Sequence, residues 1–387
     1  MERLMTSIWA KRAGGRWIVA TMLVASVTVA SGATRHNDRP AAYPGDLMAS
    51  YSAEPCGPLG HLQAGPGRYI QLAPGGPVAG ARDMSPGEWA RRAVDQAGVY
   101  RDAATGRPTA DVMVFVHGYA ISDRKTIVKT RMLRDSLRGA GFLGSVVAYR
   151  WPSIQSGVPW SYAPHINLAE RTAQRFVTDC VDPIRHAGPR GIDVRVHVIS
   201  HSLGATFVRA AFENAGPTPD GRPRLGSQIF LAGDAPTSLF GLAPANHSLA
   251  AAAADAHQSI NYFSRRDAVL RASNLSRLGT SPRLGRSGAD ACLVAAGVID
   301  VDCSDRSRRV DTEAYVAAFD ARVCAYDRAA SAYAESHPER SGFEIFFDRL
   351  VGGSDGVEVF YRSHEWYFED PCIAADLTAR IQTGARR

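Results

Sequence analysis

The stretch Val194-Arg-Val-His-Val-Ile-Ser-His-Ser-Leu-Gly-Ala-Thr206 constrains the fold more than any other. Val194, Val196 and Val198, followed by Ile199, predict a buried strand, and Ala205 to Ala215, with Phe207, Val208, Ala211 and Phe212 on one face, predict a helix. Only Ser200-His201-Ser202-Leu203-Gly204 connects them. A serine on so sharp a strand-to-helix turn is lifted clear of the backbone with its hydroxyl at the carboxyl end of the strand, as in the nucleophile elbow G-x-S-x-G. The first glycine of that pattern is replaced here by Ser200, which adds one hydroxymethyl group to a crowded space.

The elements around this turn predict the layout of the sheet. Ser85-Pro86-Gly87-Glu88 is a capping box with proline at the first helical position, so a helix should run to about Ala97. Val112 to Val116 is a continuous apolar strand ending in His117-Gly118-Tyr119. A helix from about Asp123 to Arg138 follows, with Ile127, Val128, Met132, Leu133 and Leu137 on one face and basic residues opposite. Val146 to Arg150 is the next strand, leading to Trp151-Pro152-Ser153, and a helix spans roughly Ala169 to Val181. Beyond the elbow, Gln228 to Ala232 ends at Asp234, and Ser259 to Phe263 ends at Asp267. A final strand, Gly297 to Asp302, precedes a helical pattern from Asp311 to Ala334 and a Gly-rich turn at Gly352 and Gly353, with His364 after them. Strand and helix alternate, which implies a parallel sheet with right-handed crossovers and ligand-facing groups at the carboxyl ends of its strands.

The ends of the chain carry other signals. Lys11, Arg12 and Arg16 precede an apolar run from Trp17 to Ala30, with small residues Ser31-Gly32-Ala33 after it, so residues 1–33 are expected to be a cleaved signal peptide or, alternatively, an N-terminal membrane anchor. That leader contributes +3 of the formal charge of +6, and the remainder makes no case for a nucleic-acid partner. Residues 34–84, rich in Gly, Pro and Ala, are expected to be an irregular lead-in to a domain at 85–387. Six cysteines in an exported chain predict disulfides, though Cys292 and Cys303 bracket a strand and should not bond to each other. No C-x-x-C pair or histidine cluster suggests a metal.

With these pieces in place the chain resembles a family of bacterial α/β-hydrolases of unknown function. The residues that carry the likeness are Phe115-Val-His-Gly-Tyr119, Tyr149-Arg-Trp-Pro-Ser153, His201-Ser-Leu-Gly204, Tyr262 to Leu270, Arg283-Leu-Gly285, Gly297-Val-Ile-Asp300, and His364 with Tyr367, over roughly residues 85 to 377. The resemblance implies an α/β-hydrolase fold, a mostly parallel central sheet with helices on both faces; a helical insertion at about 304–355 before the histidine departs from the family pattern. The resemblance also implies Ser202 as nucleophile, Asp267 as acid with Asp234 as the alternative, and His364 as base. Backbone N–H groups of Leu203 and Tyr119 would form the oxyanion hole; Trp151, at the carboxyl end of its strand, is expected to line the pocket or to pack against a neighbouring loop. The expected activity is cleavage of a small-molecule or lipid carboxylic ester outside the cytoplasm, with no metal or organic cofactor. Acyl transfer on the same triad and a non-catalytic envelope-associated binding protein are the alternatives. The segment Thr237 to His257 could cover the site as a lid or form a plain surface connection.

Overall fold

In a computed structural model of the chain, the residues described are 12–13, 16–17, 44–56, 61–153, 162–216, 218, 221–237, 255–276, 282–307, 312–336 and 363–383. Residues 1–37 and 38–387 form separate units. In the first, the two-residue strands Arg12–Ala13 and Arg16–Trp17 pair antiparallel, and the expected apolar leader run otherwise lies outside the described residues. Among the described residues no helix is long and apolar enough to cross a membrane.

The second unit is built on a ten-stranded sheet. Its strands are β1 (Leu47–Cys56), β2 (His61–Gln71), β3 (Arg82–Met84), β4 (Val99–Arg101), β5 (Pro108–Val116), β6 (Ser145–Arg150), β7 (Asp193–His201), β8 (Leu225–Leu231), β9 (Ala256–Phe263) and β10 (Val298–Asp302). Their spatial order is β10-β9-β8-β7-β5-β6-β1-β2-β3, with β4 paired to the start of β5. All pairs from β10 to β1 are parallel, and β2, β3 and β4 pair antiparallel. This mostly parallel sheet, sandwiched by helices, is the α/β-hydrolase fold.

Alternation along β5 divides the core in two. Val112, Val114 and Val116 face one helical layer and Met113 and Phe115 the other. The first layer holds α1 (Pro86–Asp95), α3 (Tyr162–Thr172) and α4 (Gly204–Ala215), which contribute Trp89, Leu168 and Phe207. The second holds α2 (Asp123–Gly139), α6 (Thr312–Ser336) and α7 (Pro371–Thr383), which contribute Ile127, Tyr326 and Leu377, and α5 (Ala268–Ser276) follows β9. The caps follow the sequence: Ser85 Oγ accepts from Glu88 N–H at 3.2 Å and Ser122 Oγ from Lys125 N–H at 3.2 Å.

Two expectations need correction. Residues 34–84 are not an irregular lead-in, because β1, β2 and β3 belong to the central sheet. Pro55, Gly65, Pro66 and Gly67 interrupt the apolar periodicity of β1 and β2, yet Gly67 is there for packing. A Cβ on it would come within 2.5 Å of the Tyr51 ring on the facing strand. Second, the helix before the elbow begins at Tyr162 and is irregular, passing through a 3-10 turn at Ala173–Arg175 and a π turn at Val177–Val181 into Asp182–Arg185. Pro183 has no N–H to offer the Asp179 carbonyl, which instead accepts from the Tyr69 hydroxyl at 3.0 Å. The expected disulfides fall partly outside the described residues: Cys180, Cys303, Cys324 and Cys372 are unbridged, and the side chains of Cys56 and Cys292 lie outside those described. Cys180 and Cys303 are buried in opposite layers of the core, which rules out a bond between those two.

The insertion before His364 contains α6, close to the expected 311–334, and the Gly-rich turn at 352–353 lies outside the described residues. Helix α6 docks on α2 through a bidentate Arg124–Asp327 pair at 2.9 and 3.0 Å, and the Tyr326 hydroxyl accepts from Val78 N–H at 2.9 Å.

Candidate active site

The turn after β7 holds Ser202 in the left-handed region at φ +54°, a conformation that costs a non-glycine residue of order 1–3 kcal/mol unless its surroundings enforce it. They do so through three backbone hydrogen bonds. Ser202 N–H donates to Leu231 O at 3.1 Å, and Ser202 O accepts from Ala205 N–H at 3.0 Å and Asp234 N–H at 2.8 Å. Two glycines allow the close approach. A Cβ on Gly204 would lie 2.7 and 2.8 Å from the carbonyl oxygens of His117 and Val116, and one on Gly118 would lie 2.9 Å from Ser202 Cβ. Ser200 fits the first position of the elbow because its buried hydroxyl donates to Ile229 O at 3.3 Å on the neighbouring strand.

His364 and Asp267, almost one hundred positions apart in sequence, meet at this edge of the sheet. His364 Nδ1 donates to Asp267 Oδ2 at 2.6 Å, with both side chains buried. Asp267 is itself fixed, since its Oδ1 accepts from Leu270 N–H at 2.8 Å and its carbonyl accepts from Arg286 at 2.9 Å. Ser363 Oγ accepts from Ala268 N–H at 3.0 Å, which ties the histidine's turn to the aspartate's. His364 Nε2 is buried and makes no hydrogen bond, so Ser202 and His364 are not hydrogen-bonded to each other. Burial disfavours a charged imidazole, but the Asp267 carboxylate, with Glu365 and Asp234 adding to it, outweighs that cost and raises the His364 pKa above its ordinary value.

Asp234 is engaged elsewhere. Both of its carboxylate oxygens accept from Ser273 Oγ, at 2.9 and 3.1 Å, and Arg283 Nε lies 3.4 Å away. Of the two aspartates at this edge, the structure therefore brings Asp267 and not Asp234 to the histidine.

His201, next to the serine, packs against the turn that carries His364. Its Nε2–H donates to the His364 carbonyl at 3.1 Å, and the two rings lie 4.7 Å apart. Burial, then the proximity of His364 and Lys129, pushes its pKa well below the usual value, so the ring is neutral. On the neighbouring turn, Leu203 precedes α4, and Tyr119 is half-buried with its ring 4.5 Å from that of His165. The contact of Gly118 with Ser202 sets Tyr119 beside the elbow. Of the two roles expected for Trp151, its full burial fits packing. Its Nε1–H donates to His117 O at 2.8 Å and its ring stacks on His117, so it buttresses the His117–Tyr119 turn from below. Of the segment expected as a lid, residues 238–254 lie outside the described residues.

One group at the site escaped the sequence. Lys129, on α2, is buried and its Nζ lies 2.6 Å from Glu365 Oε1, beside His364. Its position four residues before Leu133 puts it on the apolar face of the helix, a signal hidden by the basic residues around it.

A family model described as "Alpha/beta hydrolase of unknown function (DUF900)" matches residues 96–318, more than half of the chain. The matched range contains Ser202 and Asp267 and ends before His364. No curated protein matches the chain. Among solved structures, phospholipase PlaB from Legionella pneumophila in complex with thio-NAD is similar at 19% identity, with a TM-score of 0.24 over 32% of this chain and 25% of that one. An extracellular α/β-hydrolase from a Paenibacillus species is similar at 16% identity, with a TM-score of 0.19 over 33% of this chain and 42% of that one. The match thus spans about a quarter of the PlaB chain, and likenesses this partial bear on neither substrate nor mechanism.

Proposed function

This chain belongs to the DUF900 family of α/β-hydrolases, and we propose that it is a serine hydrolase that cleaves carboxylic esters through Ser202, His364 and Asp267. Supporting this is the buried 2.6 Å hydrogen bond from His364 Nδ1 to Asp267, which commits one ring nitrogen and leaves Nε2 without a partner. A neutral imidazole in that tautomer accepts a proton at Nε2 and at no other atom. Ser202 Oγ attacks the acyl carbonyl while its proton passes to His364 Nε2, and the proton goes on to the leaving alcohol as the ester C–O bond breaks. Water then attacks the acyl-enzyme by the same route, releasing the acid and restoring the serine. Asp267 holds the tautomer and stabilises the transient imidazolium. The N–H groups of Leu203 and Tyr119 would receive the developing oxyanion, each such donor contributing about 3 to 4 kcal/mol in a water-excluded site. The leader-like residues 1–33 support placing this activity outside the cytoplasm.

A fluorophosphonate probe on the full chain tests the chemistry directly. The wild type should be labelled at Ser202 and should hydrolyse p-nitrophenyl esters, with the preferred acyl length read from the series. Ser202→Ala should lose both, and His364→Ala should lose several orders of magnitude in turnover while remaining folded. A folded wild type that takes no label would favour a non-catalytic binding role for the fold.

A further inference from the structure

We propose that Lys129 and Glu365 form a buried charge pair that sets the protonation midpoint of His364, making Lys129 a positioning residue for the proposed base. The proposal deepens the serine-hydrolase reading and rests on it. Lys129 comes from the middle of α2 with its side chain only 2% exposed, and the Glu365 side chain is 12% exposed. Besides the 2.6 Å pair, Lys129 Nζ lies over the Phe368 ring at 5.6 Å, and Phe368 packs on His201 and Phe115. The pair therefore pins the turn 363–368 to α2 on one side, while Asp267 and Ala268 hold it on the other.

A lysine is seldom buried this fully, and its desolvation is offset here by a carboxylate in direct contact. The placement of that carboxylate matters more than the stability of the pair. Glu365 is the residue after His364, so its negative charge acts on the imidazole at short range unless Lys129 cancels it. The groups acting on His364 are Asp267 and Asp234 from the ends of β9 and β8, His201 from β7 and Glu365 on its own turn; Lys129 from α2 reaches it through Glu365, and Arg286 meets the Asp267 carbonyl. Asp234 is already balanced by Arg283. Lys129 likewise offsets part of the Glu365 charge, so Asp267, in direct hydrogen bond, remains the largest source of negative potential at the imidazole, ahead of Glu365 and Asp234. The imidazole then feels enough negative potential to fix its tautomer without being held permanently protonated.

The pair makes opposite predictions for its two halves, which simple packing does not. Lys129→Met leaves Glu365 uncompensated and should raise the His364 midpoint by about one pH unit. Glu365→Gln leaves Lys129 uncompensated and should lower it by a similar amount. Lys129→Arg, and the double variant with both charges removed, should return it close to the wild-type value. The midpoint is read on the full chain by NMR titration of the His364 ring, which requires no turnover. The acidic limb of fluorophosphonate labelling against pH provides a second reading. Midpoints that stay put, or move the same way in both single variants shown to be folded, would overturn the proposal. If instead the NMR midpoints move as expected and Ser202 takes no label, the coupling stands and the hydrolase reading fails.

Discussion

At the scale of single residues, the site turns on which buried carboxylate meets which base. Asp234 and Asp267 lie one strand apart at the same sheet edge, and both are fully buried. Their partners separate them. Asp267 accepts from His364 Nδ1–H, whereas Asp234 is held by Ser273 and Arg283. Asp267→Asn replaces an acceptor with an amide and permits the wrong imidazole tautomer, a change that lowers turnover by about 10⁴ in serine proteases. Asp267→Asn should do the same to ester hydrolysis here and leave the thermal midpoint nearly unchanged. Asp234→Asn should do the reverse, keeping most of the turnover per folded molecule but destabilising the fold by about 1–3 kcal/mol, because the buried Arg283 loses a carboxylate 3.4 Å away and Ser273 Oγ loses a charged acceptor. Both variants assayed on one ester, alongside a denaturant melt, decide the matter. If Asp234→Asn is the inactive but stable one, the roles are exchanged.

At the scale of elements, what could be read in the sequence was whatever depends on local pattern. The elbow strand, the apolar run of β5, the capping box before α1 and the amphipathic stripe of α2 are local, and each lies within a few residues of its expected place. Residues 47–71 carry no such pattern, because Gly67 is demanded by Tyr51 sixteen positions earlier and across a strand pair. Lys129 is a parallel case, its burial decided by Glu365 more than two hundred positions later. The elbow itself shows how sharply packing fixes a small residue. At Gly204 an added methyl would meet two backbone carbonyl oxygens at 2.7 and 2.8 Å, and neither can swing aside. At Gly139, the last residue of α2, nothing lies within 4 Å. Gly204→Ala should therefore destabilise by about 1–3 kcal/mol and slow labelling of Ser202, whereas Gly139→Ala should be neutral or stabilise by up to about 1 kcal/mol. Equal thermal midpoints for the two variants would contradict this account of the elbow.

At the scale of the whole molecule, charge is buried in matched pairs, and titration breaks the pairing in a defined order. A cleft of about 640 Å3 at the sheet edge opposite the elbow is lined by arginines, among them Arg195, Arg224 and Arg380. Each of these three meets a carboxylate, Asp102, Asp255 and Asp376 respectively, so this edge is an ion-pair network. Hydrogen bonding from Arg195 holds the Asp102 pKa down at about 2, so its contribution is present above the ordinary carboxylate range and is lost only in strong acid. The histidines titrate first. Burial drives the His117 pKa down to about 3 and that of His201 well below its usual value, so both are neutral in the folded protein. Below about pH 6.5 the unfolded chain binds protons that these two folded rings refuse. Each then removes up to about 1.4 kcal/mol of stability per pH unit as the pH falls, for His117 until about pH 3. His364 has the opposite sign: its raised pKa stabilises the folded state below the unfolded value, and that contribution is lost as pH rises through the folded midpoint. Two rings outweigh one, so the thermal midpoint should fall between pH 7 and pH 4.5. Ester hydrolysis, which needs neutral His364, should fall over the upper part of the same range. His117→Gln, which keeps a neutral amide donor within the ring's site between the Gly118 and Trp151 carbonyls and cannot be protonated, should reduce the acid-induced drop in midpoint. A midpoint that is flat or rises from pH 7 to 4.5, or a drop unchanged in His117→Gln, would show that the acid sensitivity of the fold lies in its carboxylates and not in the histidines beneath the elbow.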